Sequence, residues 1–396
     1  MRDFKMELPA DVAFILESMI ASGFSAHVVG GSVRDSLIGR ELGDFDITTN
    51  ALPEQTKEVF REYRTIDTGI KHGTVTLVLN GIPYEITTYR VDGDYKDNRH
   101  PDSVTFTSRL EDDLGRRDFT VNAMAYSPES GLTDPFGGCD DAEVGIIRAV
   151  GDPYVRFDED ALRILRALRF ASVLGFDIDR MTALAARELA PRLETISKER
   201  VYTELKKLIM GKDALRIIRE YSSVIAPLLG GLMIDRLPDI DAFASADYHA
   251  RLESLFYLNS ESPAEMAENA LTDLKTDKLT RTHAYLVLSA YDNIKFTDRR
   301  QTLTALSRYG EEVCEGVLAL GILLGRFSGA ESDIYSEALT SGEAYKVSHL
   351  DIRGGDLARI GLKGEAIGDA LESLLKVVIG GEVKNEKSAL LSFLNS

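Results

Sequence analysis

The sequence predicts an α+β N-terminal unit, a mixed sheet with helices, followed by an all-α extension. Three observations carry this. Short runs of alternating apolar and polar residues crowd the first 106 positions, and two of them are joined by Asn80-Gly81, a strong hairpin signal. From about residue 158 onward the apolar spacing turns helical and stays so. No internal repeat or long linker interrupts the 396 residues, which leave room for two to four units at ~150 residues each.

Residues 9–22 form the first helix, with Val12, Ile15, Leu16, Met19 and Ile20 on one side. A short strand at 27–29 runs into Gly30-Gly31, and a second helix covers 32–38. Residues 44–48 alternate as a strand should, as do 73–79 and 83–90 on either side of the hairpin turn. Residues 91–102 are polar, charged and tipped by Pro101, and they read as a mobile loop. A strand-like piece at 104–106 precedes the dense segment 110–126. Strong helices follow at 160–174 and 198–210. Residues 213–325 carry no readable chemical motif, and 350–393 are helical pieces punctuated by glycines.

Composition narrows the partners. With 44% hydrophobic and 28% charged residues, the chain is neither disordered nor collagen-like. Lys plus Arg is 46 and Asp plus Glu is 64, a net charge of −18, so any polyanion must meet basic residues gathered locally. Cys139 and Cys314 are too few for a disulfide framework, which suits a reducing cytoplasm. No apolar run approaches the ~20 residues that span a bilayer, and the first residues carry acids and Pro9 where a signal peptide needs an apolar stretch. No membrane partner is expected. Six histidines are scattered; His249 and His283 read as ordinary, isolated helix residues, and no zinc spacing exists.

Five constellations carry chemistry. In Gly30-Gly31-Ser32-Val33-Arg34-Asp35, glycines let a backbone approach a phosphate, a helix start offers free N–H groups, and Arg34 adds a charge; the bland alternative is a tight turn. In Asp44-Phe45-Asp46, positions i and i+2 of a strand share a face, so two carboxylates converge where a hard cation such as Mg²⁺ suits them; the alternative is a solvated strand end. Glu85, on a neighbouring strand, either completes that metal site or is a surface acid. In residues 111–123, Arg117 suits a triphosphate, while Asp118 and Asn122 either hold ribose hydroxyls or orient the arginines; paired charges at a helix entry are the alternative. In residues 159–169, a helix would set Asp160 beside Arg163. Cytosine and adenine both present an amino donor beside a ring-nitrogen acceptor. A carboxylate and a guanidinium match that pair, whereas guanine and uracil present the reverse pattern. An intrahelical salt bridge is the alternative.

In this order, residues 30–46, 116–123, 134–138, 159–170 and 197–205 resemble the class II tRNA nucleotidyltransferases, specifically the bacterial CCA-adding enzymes, with bacterial poly(A) polymerases as relatives. The resemblance implies a nucleotidyltransferase palm at 1–145, a helical nucleotide-recognition neck at 146–212, a helical body at 213–325 and a tRNA-binding tail at 326–396. It implies two Mg²⁺ ions on Asp44 and Asp46; Glu85 stays the candidate third catalytic acid that its strand position offers. Gly30, Gly31, Arg34, Arg117, Asp118 and Asn122 would contact the incoming CTP or ATP. Asp160 and Arg163 would be the protein template for C and A, supported by Arg166 and Arg169. The loop at 91–101, with Arg90 at its base, would serve the final A. The tRNA would be held by its 3′ end and its acceptor and T arm, with basic contacts at Lys198, Arg200, Lys206 and Lys207, and at Arg299, Arg300 and Arg308. The acidic residues at 139–144 imply modest RNA affinity with steep salt sensitivity. Rival readings are an A-adding enzyme, a poly(A) polymerase, and a non-enzymatic RNA-binding scaffold.

Overall fold

The structure, a computed structural model, describes residues 4–67, 69–93 and 104–395. Most of the expected loop at 91–102 lies outside the described residues. The chain divides into two compact units, Met1–Val224 and Ile225–Ser396.

The first unit opens with α1 (Ala10–Ala21), β1 (Ala26–Val29), α2 (Gly31–Leu37), β2 (Asp46–Thr49), α3 (Pro53–Val59), β3 (Arg64–Ile66), β4 (Thr74–Leu79) and β5 (Ile82–Thr88). Then come β6 (Arg90–Asp92), β7 (Val104–Phe106), α4 (Leu110–Gly115), a 3-10 turn (Thr120–Asn122), β8 (Ala125–Ser127), β9 (Gly131–Thr133), α5 (Gly138–Val144) and β10 (Ile146–Ile147). It continues with α6 (Pro153–Glu159), α7 (Leu162–Leu174), β11 (Asp177–Ile178), α8 (Arg180–Glu188), α9 (Lys198–Ile209), α10 (Ala214–Glu220) and α11 (Ser222–Ile225).

Seven strands form one mixed sheet in the order β3-β4-β5-β2-β1-β8-β9. Only β2 and β5 run parallel in it. The β4–β5 hairpin turns on Asn80 (φ 51°) and Gly81 (φ 82°), the left-handed pair that a two-residue turn requires. Along β4 every second residue is buried, so Val75, Leu77 and Leu79 face inward. Leu77 and Leu79 join Val12, Ile15, Leu16 and Met19 of α1 in the core, each fully buried aliphatic contributing roughly 1.5–3 kcal/mol.

One expected strand moves. β2 starts at Asp46, so Asp44 and Phe45 precede it. The cause is β1, whose last paired residue, Val29, sits opposite Asp46 before Gly30 turns the chain away. The short parallel pair β10–β11 also interrupts the all-helical reading after residue 158, because residues 177–178 pair with 146–147 in a separate two-stranded sheet.

The second unit comprises α12 (Ile240–Ser245), α13 (Tyr248–Asn259), α14 (Pro263–Asp273), α15 (Lys278–Ala290), α16 (Arg299–Tyr309), α17 (Glu311–Leu323), α18 (Gly329–Thr340), α19 (Gly354–Arg359), α20 (Glu365–Ile379) and α21 (Lys387–Leu394). Asp239, Asp247, Asp277 and Asp298 cap α12, α13, α15 and α16 by accepting first-turn N–H groups, each contact contributing about 0.5–2 kcal/mol. Part of the acidic excess therefore has a structural use. No helix among the described residues is long and apolar enough to cross a membrane. His249 and His283 are not isolated, as the sequence suggested; the packing of α13 on α15 brings them together around Glu253.

Candidate active site

The turn from β1 into α2 passes through Gly30, whose φ of 78° lies in the left-handed region. A Cβ there would also stand 3.1 Å from Arg117 Nη1. Backbone angle and close approach both demand glycine. Gly30→Ala should therefore displace Arg117 and lower kcat/KM more than tenfold, with a stability loss of about 1–2 kcal/mol. Steady-state kinetics and thermal melting check this, and wild-type kinetics would remove the turn from the site. Gly31 follows as the first residue of α2, with the Arg34 guanidinium 3.5 Å from the position of its absent Cβ.

From α2 a chain of buried polar contacts runs into α7 and α9. Arg34 pairs with Asp35 at 2.9 Å, and its Nη1 donates to Asn122 Oδ1 at 2.6 Å. Asn122 Nδ2 in turn donates to Asp118 Oδ1 at 3.1 Å, an oxygen that also accepts the Phe119 N–H at 2.9 Å. The other Asp118 oxygen accepts from Arg166 Nε at 2.8 Å. Arg166 lies 3.9 Å from Glu204, which accepts from Arg169 Nε at 2.7 Å. The ring of Phe170 supports three guanidiniums, those of Arg34, Arg166 and Arg169, at 5.2, 5.4 and 3.7 Å from its centroid. Burial alone would raise the Asp118 carboxyl, but the Arg166 charge and the Asn122 hydrogen bond outweigh it and hold the carboxyl down to about 2.

Arg117 sits where the turn, the acids and this network meet. Burial lowers its pKa, while Asp113, Asp46 and Asp118 all act to raise it. Asp113 is fully buried; it pairs with Arg116 at 2.7 Å, lies 3.7 Å from Arg117 Nη2 and accepts from Thr48 Oγ1 at 3.3 Å.

Asp44 and Asp46 are both exposed to water. Surrounding protein raises the Asp46 carboxyl, Arg117 pulls it back, and the negative charge of Asp44 pushes it up again. Two hard oxygen donors that repel each other across water-accessible space fit a divalent cation such as Mg²⁺. Glu85 is exposed on β5, one register step from the Ile47–Ile86 pair and on the face of Thr48 and Thr87.

The expected Asp160–Arg163 pair does not form. Asp160 lies between α6 and α7 in extended conformation rather than within α7, and its carboxylate accepts the Leu162 N–H at 3.0 Å. Arg200 of α9 holds it at 2.8 Å. Arg163 pairs instead with Glu159 at 2.5 Å, and its Nη2 donates to the Arg116 carbonyl at 3.2 Å. Arg200 is thus paired with Asp160, and Arg299 with Glu343. Reading the sequence missed Asp113, Glu159 and Glu204 as positioning residues. For Arg200 and Glu204 the signal was present: they lie four apart in residues 197–205, on one helix face.

The poly(A) polymerase head domain family matches residues 26–148, the family described as "Probable RNA and SrmB-binding site of polymerase A" matches 175–222, and tRNA nucleotidyltransferase domain 2 matches 249–394. The CCA-adding enzyme of Streptococcus mutans is 38% identical, over 99% of this chain and 97% of its own length. The crystal structure of the Bacillus stearothermophilus CCA-adding enzyme in complex with CTP matches with a TM-score of 0.78 and 33% identity, over 98% of both chains. The Thermotoga maritima CCA-adding enzyme complexed with tRNA-CCA shares the fold, with a TM-score of 0.69 at 22% identity over 98% of this chain and 96% of its own.

Proposed function

This chain belongs to the family of CCA-adding enzymes, and from that premise we propose that it adds C, C and A to the 3′ end of tRNA from CTP and ATP, without a nucleic-acid template and with release of pyrophosphate. The observation that carries the proposal is Arg117. This one guanidinium touches the Gly30 turn and acts on both Asp46 and Asp118, joining phosphate-binding turn, acid pair and base-reading network.

Arg117 and Arg34 orient the triphosphate so that the tRNA 3′ hydroxyl lies in line with the α-phosphate. Asp44 and Asp46 would hold two Mg²⁺ ions, with Glu85 as a further carboxylate; such ions, when bound, would supply Lewis acidity toward the attacking hydroxyl and positive charge for the leaving pyrophosphate. Positioning and fixed charge supply most of the acceleration. Asp118 and Asn122 act through the arginines they hold. The tRNA substrate and the two buried cysteines outside any disulfide, Cys139 and Cys314, support a cytoplasmic setting.

Asp160 accepts the exocyclic amino group of C or A, and Arg163 donates to the ring nitrogen beside it. A carboxylate offers about four acceptor sites and a guanidinium five donors, so Arg200 and Glu159 orient the pair without exhausting it. Asp160→Ala should loosen the choice of C and A over G and U by roughly 5- to 150-fold, the equivalent of about 1–3 kcal/mol per bidentate contact. Single-nucleotide kcat/KM values for all four triphosphates read this directly, and an equal fall for all four would refute the template role. The whole proposal is tested on tRNA lacking its 3′ end, incubated with CTP alone, ATP alone and both. Failure to incorporate C would leave an A-adding enzyme or a poly(A) polymerase. No incorporation at all with Mg²⁺ would leave an RNA-binding scaffold.

A further inference from the structure

Nucleotide addition makes no use of the cluster of His249, Glu253 and His283 in the second unit. His249 and Glu253 lie four residues apart on α13, so both project from one face. His283 reaches them from α15. One ligand atom from each of the three lies within 4.8 Å of the other two. His283 Nδ1 is 2.9 Å from Glu253 Oε1, and the two imidazole centroids are 4.5 Å apart.

Glu253 is the revealing member. It is fully buried, and its second oxygen, Oε2, has no hydrogen-bond partner among the described residues. A buried carboxylate oxygen left in this way is unfavourable unless something positive meets it. Burial accordingly pushes this carboxyl up to about 7 against the opposing pull of His283. The surroundings favour a cation. Asp247 and Glu312 both add negative potential at the His283 ring. On α17, Gly316 lets that ring pack close against the helix, since a Cβ there would stand 3.0 Å from His283 Cε1 and 2.5 Å from Val287 Cγ2.

We propose that His249, Glu253 and His283 form a binding site for one divalent transition-metal ion of the zinc type. Two imidazole nitrogens and one carboxylate oxygen are the donor set of such ions, with water as a fourth ligand. Metal–donor bonds of about 2.0–2.2 Å put donors about 3.3 Å apart, a contraction within reach of side-chain rotation from the present separations. The bound ion would take the orphaned Glu253 oxygen as a ligand and fasten α13 to α15. Its nitrogen donors set it apart from the all-oxygen pair Asp44 and Asp46, which suits Mg²⁺.

The test uses the full chain carrying Asp44→Asn and Asp46→Asn, which removes the palm acids as competing ligands. The protein is stripped with chelator, then titrated with Co²⁺ and with Zn²⁺. Expected are one ion per chain, the intense visible absorption of four-coordinate Co²⁺, and a melting temperature that rises with Zn²⁺. His249→Gln and His283→Gln should each weaken binding at least tenfold, while His349→Gln, at an exposed histidine elsewhere in the same unit, should leave it unchanged. If His283→Gln fails to fold, His249→Gln alone decides. Zero stoichiometry at micromolar Zn²⁺, or unaltered affinity after His249→Gln, overturns the site and leaves a buried histidine–glutamate pair.

Discussion

Asp46→Asn should lower nucleotide incorporation by at least about a thousandfold and, in the same protein, raise the melting temperature. Activity falls because the amide keeps the shape of the side chain but loses the charge that a metal ligand needs. Stability moves the other way. The folded-state pKa of this acid is raised, chiefly by surrounding protein and then by Asp44. The native state therefore holds the proton more tightly than the unfolded chain does. Stability declines as pH rises above the ordinary carboxylate range, and at neutral pH the ionised Asp46 works against folding. Its carboxylate is exposed, so water screens much of this, and the gain should be only about one or two degrees. Asp44→Asn should abolish transfer likewise. Labelled CTP incorporation and thermal melting of one preparation read both effects. Retained activity would refute the metal assignment, and a melting temperature several degrees lower would make Asp46 a structural residue.

Asp118→Ala should be the most destabilising single change in the site, at about 3 kcal/mol, because half-buried Arg166 loses its carboxylate while Asn122 and the Phe119 N–H lose their acceptor. For a unit of this size that corresponds to a melting temperature lower by roughly 10 °C. The effect carries a pH signature. The carboxyl is held at about 2 in the folded protein against 3.8 ordinarily. Its contribution is complete above the ordinary value and disappears as pH falls from about 4 to about 2. Denaturation of wild type and variant across that range should show the gap between them closing. A gap that stays constant would mean that packing, not the ion pair, sets the loss.

Where local pattern decides structure, the sequence was legible. The Asn80-Gly81 hairpin, the first helix and the helices at 160–174 and 198–210 all appear within a residue or two of their expected places, because turn chemistry and apolar period are properties of neighbouring residues. The glycine turn was likewise readable, whereas Asp44 precedes the strand on which the acid pair was read. Partner choice was not. Arg163 had two acids within reach, Glu159 and Asp160, and spacing favoured neither. What decided was that Asp160 lies in the extended link before α7, where it accepts the Leu162 N–H and meets Arg200 of α9, a contact spanning forty positions. The buried acids Asp113 and Glu204 were hidden for the same reason. An aspartate facing solvent and one holding a buried guanidinium look alike until the fold sets them beside their partners. The His249–Glu253–His283 cluster needed two helices to be packed before its members met.

The bond between Asp118 and Arg166 also bears on how the protein is made. Its two ends lie 48 residues apart, and the sheet that positions Asp118 is already complete in the nascent chain when Arg166 has yet to be translated. At about 5–20 residues per second the ribosome takes roughly 2–10 s to supply the missing charge. For that interval the emerging palm has only the neighbouring Arg117 charge and no hydrogen-bonded guanidinium for its buried Asp118, so it should stay loosely folded on the ribosome, and a fragment terminated at residue 145 should be degraded or precipitate when expressed alone.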